Sequence, residues 1–469
     1  MTYVWKRLKC KFHINMIYKI SMKKNILLIN PWIYDFAAYD FWIKPLGLLY
    51  IGSLFRKNGY HVKLIDCLNP LHPHLKAEKN ISIYRRNIAG HGKFPAEEIL
   101  KPYPLKEIKK RYKRYGITPN IFIEELKLSK KPDLILVTSI MTYWYPGVFE
   151  TIRITKEMFP DVPLILGGIY VTLCPEHALK SGADLTISGE GEKFIPSLLR
   201  EFFGEEPVYT PDYQNLDSLP YPAFDLMPVK DQIPIMTSRG CTYNCTYCAS
   251  HILHKNFRQR DPIKTVDEIS FWNTNFGIKH FSFYDDALLV NQKKMAIPML
   301  KEIIKRELQC EFHCPNGLHL REITSKSSKL MHMAGFRTIR FGFESSSRDR
   351  QIETGGKVNN TQLKTAVTYL KEAGYKSEDI GIYILCGLPG QEETEVLDTI
   401  RYVQNCGARP IITEYSPIPG TILWEKSIQE SSFNLREEPL FHNNSLLSCR
   451  NKKLTYDVYQ NLKIMTKMH

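Results

Sequence analysis

The chain is poor in three things. Its first 21 residues are basic and mixed (Lys6, Arg7, Lys9, Lys11) and hold no apolar run of the length that a signal peptide or membrane span requires, so no membrane association is expected. Cysteine is sparse: 11 in 469 residues cannot build a disulfide scaffold, which fits a reducing, cytoplasmic setting. Acidic residues are outnumbered, 49 against 63 basic ones, for a net charge of +14. The lysines are scattered, and the one dense run (Lys106, Lys109, Lys110, Arg111, Lys113, Arg114) reads as a solvated face, so the charge alone does not make this a nucleic-acid-binding protein. What is present is an ordinary globular composition, 43% apolar, long enough for two or three domains with proper cores. Residues 1–22 read as a basic extension ahead of the folded chain, with Met22 an alternative start to Met1.

From Lys23 short apolar runs alternate with amphipathic ones. Asn25 to Asn30, His61 to Asp66, Leu134 to Thr138, Leu164 to Leu166 and Leu185 to Ser188 read as strands, and Leu46 to Lys57, closed by Gly59, as a helix. Strands apolar throughout imply helices on both faces, hence a doubly wound α/β domain over 23–204. A polar insertion over about 67–120 (His72-Pro-His74, Gly90 to Pro95) is long enough to be either functional or mobile. The proline-broken stretch 205–228 reads as a linker. A second series follows over 229–423, with strands at Ile233 to Thr237, His280 to Tyr284, Glu311 to Cys314, Thr338 to Phe343, Gly381 to Cys386 and Ile411 to Tyr415. Helical stretches such as Lys293 to Glu307 and Glu393 to Asn405 separate them. Six units of this kind predict a partial (β/α)6 barrel with its chemistry at the C-terminal strand ends. Residues 424–469 read as a short, polar, helical C-terminal segment.

Three of the cysteines fall within eight residues, Cys241-x3-Cys245-x2-Cys248. Soft thiolates select zinc or iron–sulfur over hard cations, and three of them can bind three irons of a cubane and leave the fourth open. A closed zinc site wants a fourth ligand, for which only His251 lies near in sequence. Gly240 before the motif and Ala249 and Ser250 after it suit a loop wrapped around a cofactor; Tyr247 could lie against a cofactor ring or simply pack.

The run Thr237 to Ser250 resembles the signature of the radical S-adenosylmethionine (radical SAM) superfamily, including the aromatic before the third cysteine. The resemblance implies a 4Fe-4S cluster on Cys241, Cys245 and Cys248. S-adenosylmethionine would chelate its open iron and be cleaved reductively to a 5′-deoxyadenosyl radical, with electrons from a donor such as flavodoxin or ferredoxin. It also implies S-adenosylmethionine contacts from Tyr247, from Asp285 and Asp286 (the methionine amino group), from Glu344 with Ser345 (the ribose hydroxyls), and from the bend Gly387 to Gly390 (the adenosyl group). Against these stand plain caps, turns and ion pairs of the same residue types.

Placed ahead of such a barrel, 23–204 resembles the Rossmann-like cobalamin-binding domain of one subfamily. On that resemblance Thr138, Ser139, Gly167, Gly168, Gly189 and Glu190 would line the corrin crevice at the strand ends. The chain lacks the Asp-x-His-x-x-Gly motif that supplies an axial histidine in other cobalamin proteins. The aromatic loops Asn30 to Phe36 and Met141 to Pro146 read either as cofactor-lining or as core. Of the other cysteines, Cys314 and Cys386 fall at strand ends where a thiol could relay a radical, and the rest read as packing.

The subfamily commonly transfers methyl groups through methylcobalamin to unactivated carbon or phosphorus, which is the activity the resemblance implies, on an unknown substrate and with no catalytic residue named. A cobalamin-assisted radical rearrangement, an RNA-modifying radical enzyme and a non-enzymatic cluster or corrin sensor are the alternatives.

Overall fold

The computed structural model describes residues 24–227 and 232–467; the expected extension at 1–22, its alternative start Met22 and Cys10 lie outside the described residues. Five strands form the first sheet: β1 (Asn25–Asn30), β2 (His61–Asp66), β3 (Leu134–Val137), β4 (Leu164–Gly167) and β5 (Leu185–Ile187). All pair in parallel, in the order β5-β4-β3-β1-β2, so the order reverses beside β1. β3 is buried at every position, and separate apolar clusters cover the two faces, one holding Leu27, Ile29 and Ile135, the other Ile26, Leu28 and Leu134. The sheet therefore carries helices on both sides, and ligands can reach it only at its strand ends. The helix Leu46–Lys57 ends as expected at Gly59, whose φ of +91° accommodates the left-handed turn that closes it.

The second sheet runs in chain order: β6 (Gln232–Ile235), β7 (His280–Phe283), β8 (Glu311–His319), β9 (Phe336–Glu344), β10 (Ile380–Cys386) and β11 (Arg409–Glu414), all parallel, with β6 and β11 unpaired to each other. This is the open six-stranded barrel. Its helix-facing residues, among them Phe281, Phe283, Phe312, Cys314, Ile382 and Cys386, join one continuous core with Trp272, Met299 and Val396 from the helices. Cys314 and Cys386 thus belong to the apolar core, buried among packing residues and not presented as strand-end thiols that could relay a radical.

The insertion is built into the first domain. Lys113–Tyr115 pairs antiparallel with Ile33–Asp35 after β1 on one side and with Ala96–Glu98 on the other, making a small three-stranded sheet, and Gly92–Lys93 pairs with Tyr39–Asp40. The aromatic loops are core: Trp32 packs on Phe122 and donates to the Ile117 carbonyl, while Trp144 donates to Asp35. The basic run is only partly a solvated face, since Arg114 pairs with Glu97 and Lys110 donates to the Ser445 carbonyl.

The segment from 424 onward departs most from expectation. It is α-helical only over Trp424–Glu430 and Tyr456–Met465; between them run two 3-10 turns, Pro439–His442 and Asn444–Leu446, and Leu435, Leu440, Leu446, Leu447 and Cys449 are buried. It returns to the first domain, where His442 Nδ1 lies 3.0 Å from Thr142 Oγ1 and Asn443 Nδ2 donates to Asp35 at 2.8 Å. Its polar look arises because its leucines follow no helical period; they fill a seam between two domains, not one face of a helix. Among the described residues no helix is long and apolar enough to cross a membrane.

Candidate functional site

Asp285, at the end of β7, accepts from the backbone N–H and the hydroxyl of Thr237 and from the Ser238 hydroxyl. Burial pushes its carboxyl up to about 6, and these donors hold it in place. The strand pair Ser238–Arg239 with Arg258–Gln259 then launches the loop that carries Cys241, Cys245 and Cys248. Asp285 therefore braces the loop, with Oδ1 taking the two hydroxyls and both oxygens sharing the Thr237 N–H. Asp286 is the exposed neighbour, and one of its oxygens accepts from the Ser250 hydroxyl just after the third cysteine.

Burial raises the pKa of all three thiols, that of Cys248 to about 11, so loading a metal must displace protons. The three sulfurs are not drawn within 4.8 Å of one another. That spread exceeds the ~3.8 Å edge of a thiolate tetrahedron around one zinc and suits a polynuclear cluster. His251, the expected fourth-ligand candidate, is turned away, its Nε2 2.8 Å from the Tyr243 carbonyl. His319, at the end of β8, is the imidazole that approaches, with Nε2 3.6 Å from the Cys241 sulfur.

Beside the loop β9 ends in a bulge against β10, between Gly342 and Glu344. Glu344 has φ +71°, a backbone state that a non-glycine residue holds only when its surroundings enforce it. Its Oε1 accepts from the Tyr247 hydroxyl at 2.8 Å and pairs with Lys357, whose Nζ also donates to Tyr247 at 2.8 Å. A Cβ on Gly342 would come 2.6 Å from Lys357 Nζ and 2.8 Å from Glu344 Oε1, so a side chain there would push this pair aside. Burial opposes the charge on Lys357, but Glu344 and then the thiols of Cys245 and Cys248 outweigh it and raise its pKa. Burial, then Glu344, keeps Tyr247 protonated. This buried carboxylate, ammonium and phenol triad is what the structure offers a zwitterionic, hydroxyl-rich ligand next to the thiols.

Other expected contacts find different partners. Ser345 is buried and donates to Glu395, which fixes the turn after β9 instead of facing a ribose. In the Gly387 to Gly390 bend, Gln391 Oε1 accepts from Gly387 N, and a Cβ on Gly387 would meet Leu447 at 3.1 Å. The C-terminal segment thus covers the bend: its Cys449 joins Leu388 of the bend, Tyr415 and Leu423 in a cluster on which Tyr247 packs.

At the first domain's strand ends, Gly167 and Gly189 border open space: a Cβ at Gly167 meets only the Ile187 carbonyl at 3.6 Å, and one at Gly189 meets nothing within 4 Å. With half-buried Thr138 and exposed Ser188, Met141 and Ile169 they leave an open, partly apolar surface at the strand ends. Ser139 and Gly168 serve structure instead. The Ser139 hydroxyl donates to the Gly167 carbonyl, and a Cβ on Gly168 would strike the Ser139 backbone at 2.2 Å. Glu190 likewise has partners within the protein. It is the hub of an ion-pair cluster with Arg239, Arg258, His254 and Lys193, and Arg239 also pairs with Glu192. Burial alone would raise its pKa; these partners outweigh burial and lower it. The cluster ties the first domain to the residues that launch the cysteine loop.

Comparison with known proteins agrees with this arrangement. Residues 235–403 match the Radical SAM superfamily and residues 117–199 match the B12 binding domain. An uncharacterized methyltransferase of Pyrococcus horikoshii is 30% identical over 340 residues, 66% of this chain and 72% of that protein. The anaerobic magnesium-protoporphyrin IX monomethyl ester cyclase of Cereibacter sphaeroides is 25% identical over 67% of this chain and 58% of its own length. The radical S-adenosylmethionine methyltransferase TsrM of Kitasatospora setae, solved with cobalamin and a 4Fe-4S cluster bound, superimposes with a TM-score of 0.64 at 15% identity, over 88% of this chain and 76% of that one.

Proposed function

The chain belongs to the radical S-adenosylmethionine superfamily, in the branch that pairs the radical domain with a cobalamin-binding domain, and from that premise we propose that it methylates an unactivated carbon or phosphorus. The observation that carries the reading is one continuous arrangement: the thiol loop, the Glu344–Lys357–Tyr247 triad beside it, and the Glu190 cluster that joins this loop to the first domain. The resemblance to a named methyltransferase supports it.

The cofactors are a 4Fe-4S cluster, S-adenosylmethionine and cobalamin; together they supply reductive cleavage of the sulfonium and a carrier for the methyl group. We assign Cys241, Cys245 and Cys248 to the cluster, which leaves His319 to pack beside Cys241. Were the site a zinc centre, His319 would complete a closed four-ligand set; the family match supports the cluster instead. Glu344 and Tyr247 hold the ribose side of S-adenosylmethionine, with Lys357 released toward its carboxylate when the ligand displaces the internal ion pair. Asp286 faces the amino group. Thr138, Gly167 and Gly189 line the corrin crevice, and the units 23–204 and 229–423 act as its two walls. An external reductant such as flavodoxin or ferredoxin, in a reducing cytoplasmic compartment, completes the system.

The test is anaerobic turnover of reconstituted, reduced protein with methyl-labelled S-adenosylmethionine and a panel of acceptors. Labelled product with S-adenosylhomocysteine supports methyl transfer. Steady accumulation of 5′-deoxyadenosine with an unmethylated, cyclised or rearranged product would replace it with the second reading, which the resemblance to a cyclase favours.

A further inference from the structure

The strand alternation that turns Phe281, Phe283, Phe312 and Cys314 toward the helices turns His280, Ser282, Glu311 and His313 toward the barrel lumen. The register sets His280 beside Glu311, Ser282 beside His313, and His313 beside Thr338. These residues open β7 and β8, at the end of the barrel away from the cysteine loop. Among the described residues His280, Glu311 and His313 form the group whose metal-binding atoms all fall within 4.8 Å of one another.

We propose that His280, Glu311 and His313 bind a zinc(II) ion, separate from the cluster, that braces the lumen face at the start of β7 and β8. His280 Nδ1 lies 3.3 Å from His313 Nε2 and 3.5 Å from a Glu311 oxygen. A ligand tetrahedron around zinc at bond lengths of ~2.0–2.1 Å has edges of about 3.3–3.4 Å. The same separations are longer than good hydrogen bonds of about 2.7–3.2 Å. The donor set, two imidazoles and one carboxylate, suits a borderline ion and is poor for magnesium or calcium.

The surroundings orient these ligands. His313 Nδ1 lies 3.1 Å from the Thr338 hydroxyl, and as donor there it leaves the Nε2 lone pair pointing at the site. Trp42 of the first domain stacks on the His313 ring, centroids 4.4 Å apart at 19°, and its carbonyl accepts from Tyr284. The exposed side of Glu311 leaves the fourth position to water. Arg337, on the adjacent strand, repels a cation, but its guanidinium is turned back to the His332 carbonyl.

The test uses the full chain with its cluster loaded, stripped of loosely held metal and titrated with zinc(II) against a chromophoric chelator, with zinc X-ray absorption as the structural readout. The expected result is one zinc per chain with nitrogen and oxygen neighbours at ~2.0–2.1 Å and no sulfur. Affinity should fall at least ~10-fold in Glu311→Gln and in His280→Gln. Iron content and the cluster's electron paramagnetic resonance should not change in either variant, which separates this outcome from any failure of the cluster assignment. Zinc not retained, sulfur neighbours at ~2.3 Å, or unaltered affinity in both variants would overturn the proposal. Glu311 is exposed at the start of its strand, so its variant tests the site without emptying the core.

Discussion

The two parallel sheets use their faces differently. The first is doubly wound and apolar on both sides, so polar groups survive only at its strand ends, and several of those, Ser139 and Glu190 among them, are taken up by structure. The second runs in chain order and curls, so one face packs under helices while the other lines a lumen that keeps His280, Ser282, His313 and Thr338. Curling gives a sheet an interior of its own in which chemistry can be housed; the doubly wound sheet must share an edge with another domain to make a site.

If the chemistry is divided this way, changes on the barrel side should remove turnover and changes on the first-domain side should remove only the corrin. The largest effect is expected for Cys245→Ala, which should lose the cluster's absorbance and reduce S-adenosylmethionine cleavage by more than ~10³-fold, over about 4 kcal/mol of barrier. Next, Glu344→Gln removes the charged acceptor shared by Tyr247 and Lys357. It should weaken S-adenosylmethionine binding ~10–100-fold in equilibrium dialysis, the scale of a charged hydrogen bond.

The third change probes the first domain's own buried charge. Burial pushes Asp35 from 3.8 up to about 6, against the donors Asn443 and Trp144. The folded chain therefore holds this proton more tightly than the unfolded one. Its contribution to stability is full below about pH 4 and is lost as the pH rises through about 6, by ~2–3 kcal/mol. Urea midpoints of wild type relative to Asp35→Asn should fall across that window, and a flat difference would contradict the assignment. The smallest effect is expected for Gly167→Leu, whose side chain enters open space. Retained cobalamin should fall ~10-fold, about 1.4 kcal/mol, with S-adenosylmethionine cleavage unchanged. Equal loss of both would break the division.

Most of the architecture was legible because each strand is a short apolar run and helices such as Leu46–Lys57 and Glu393–Asn405 carry their periodicity and stops in sequence. The cysteine trio was legible because its spacing is local. Lys357 and His319 were not, since a lone lysine after a glycine pair and a lone histidine ending a strand acquire meaning only when topology sets them beside residues about 80 to 110 positions earlier. One signal was available for the first. A side chain on Gly355 would strike the Asn244 carbonyl at 2.5 Å, so that glycine marks a close approach to the cysteine loop. The ion pairs of Glu190 were not legible because a Gly-flanked residue at a strand end looks the same in sequence whether it meets a ligand or arginines about fifty to seventy residues later.

The bond from Asn443 to Asp35 joins residues 408 positions apart. A ribosome adding roughly 5–20 residues per second needs roughly 20–80 s to deliver the donor after the acceptor. Both sheets can be complete in that interval, while the crevice between them still lacks the strand of chain that stitches it. The seam forms only after both sheets, so a change around Asn443 would disturb the way the domains meet before it disturbed either one.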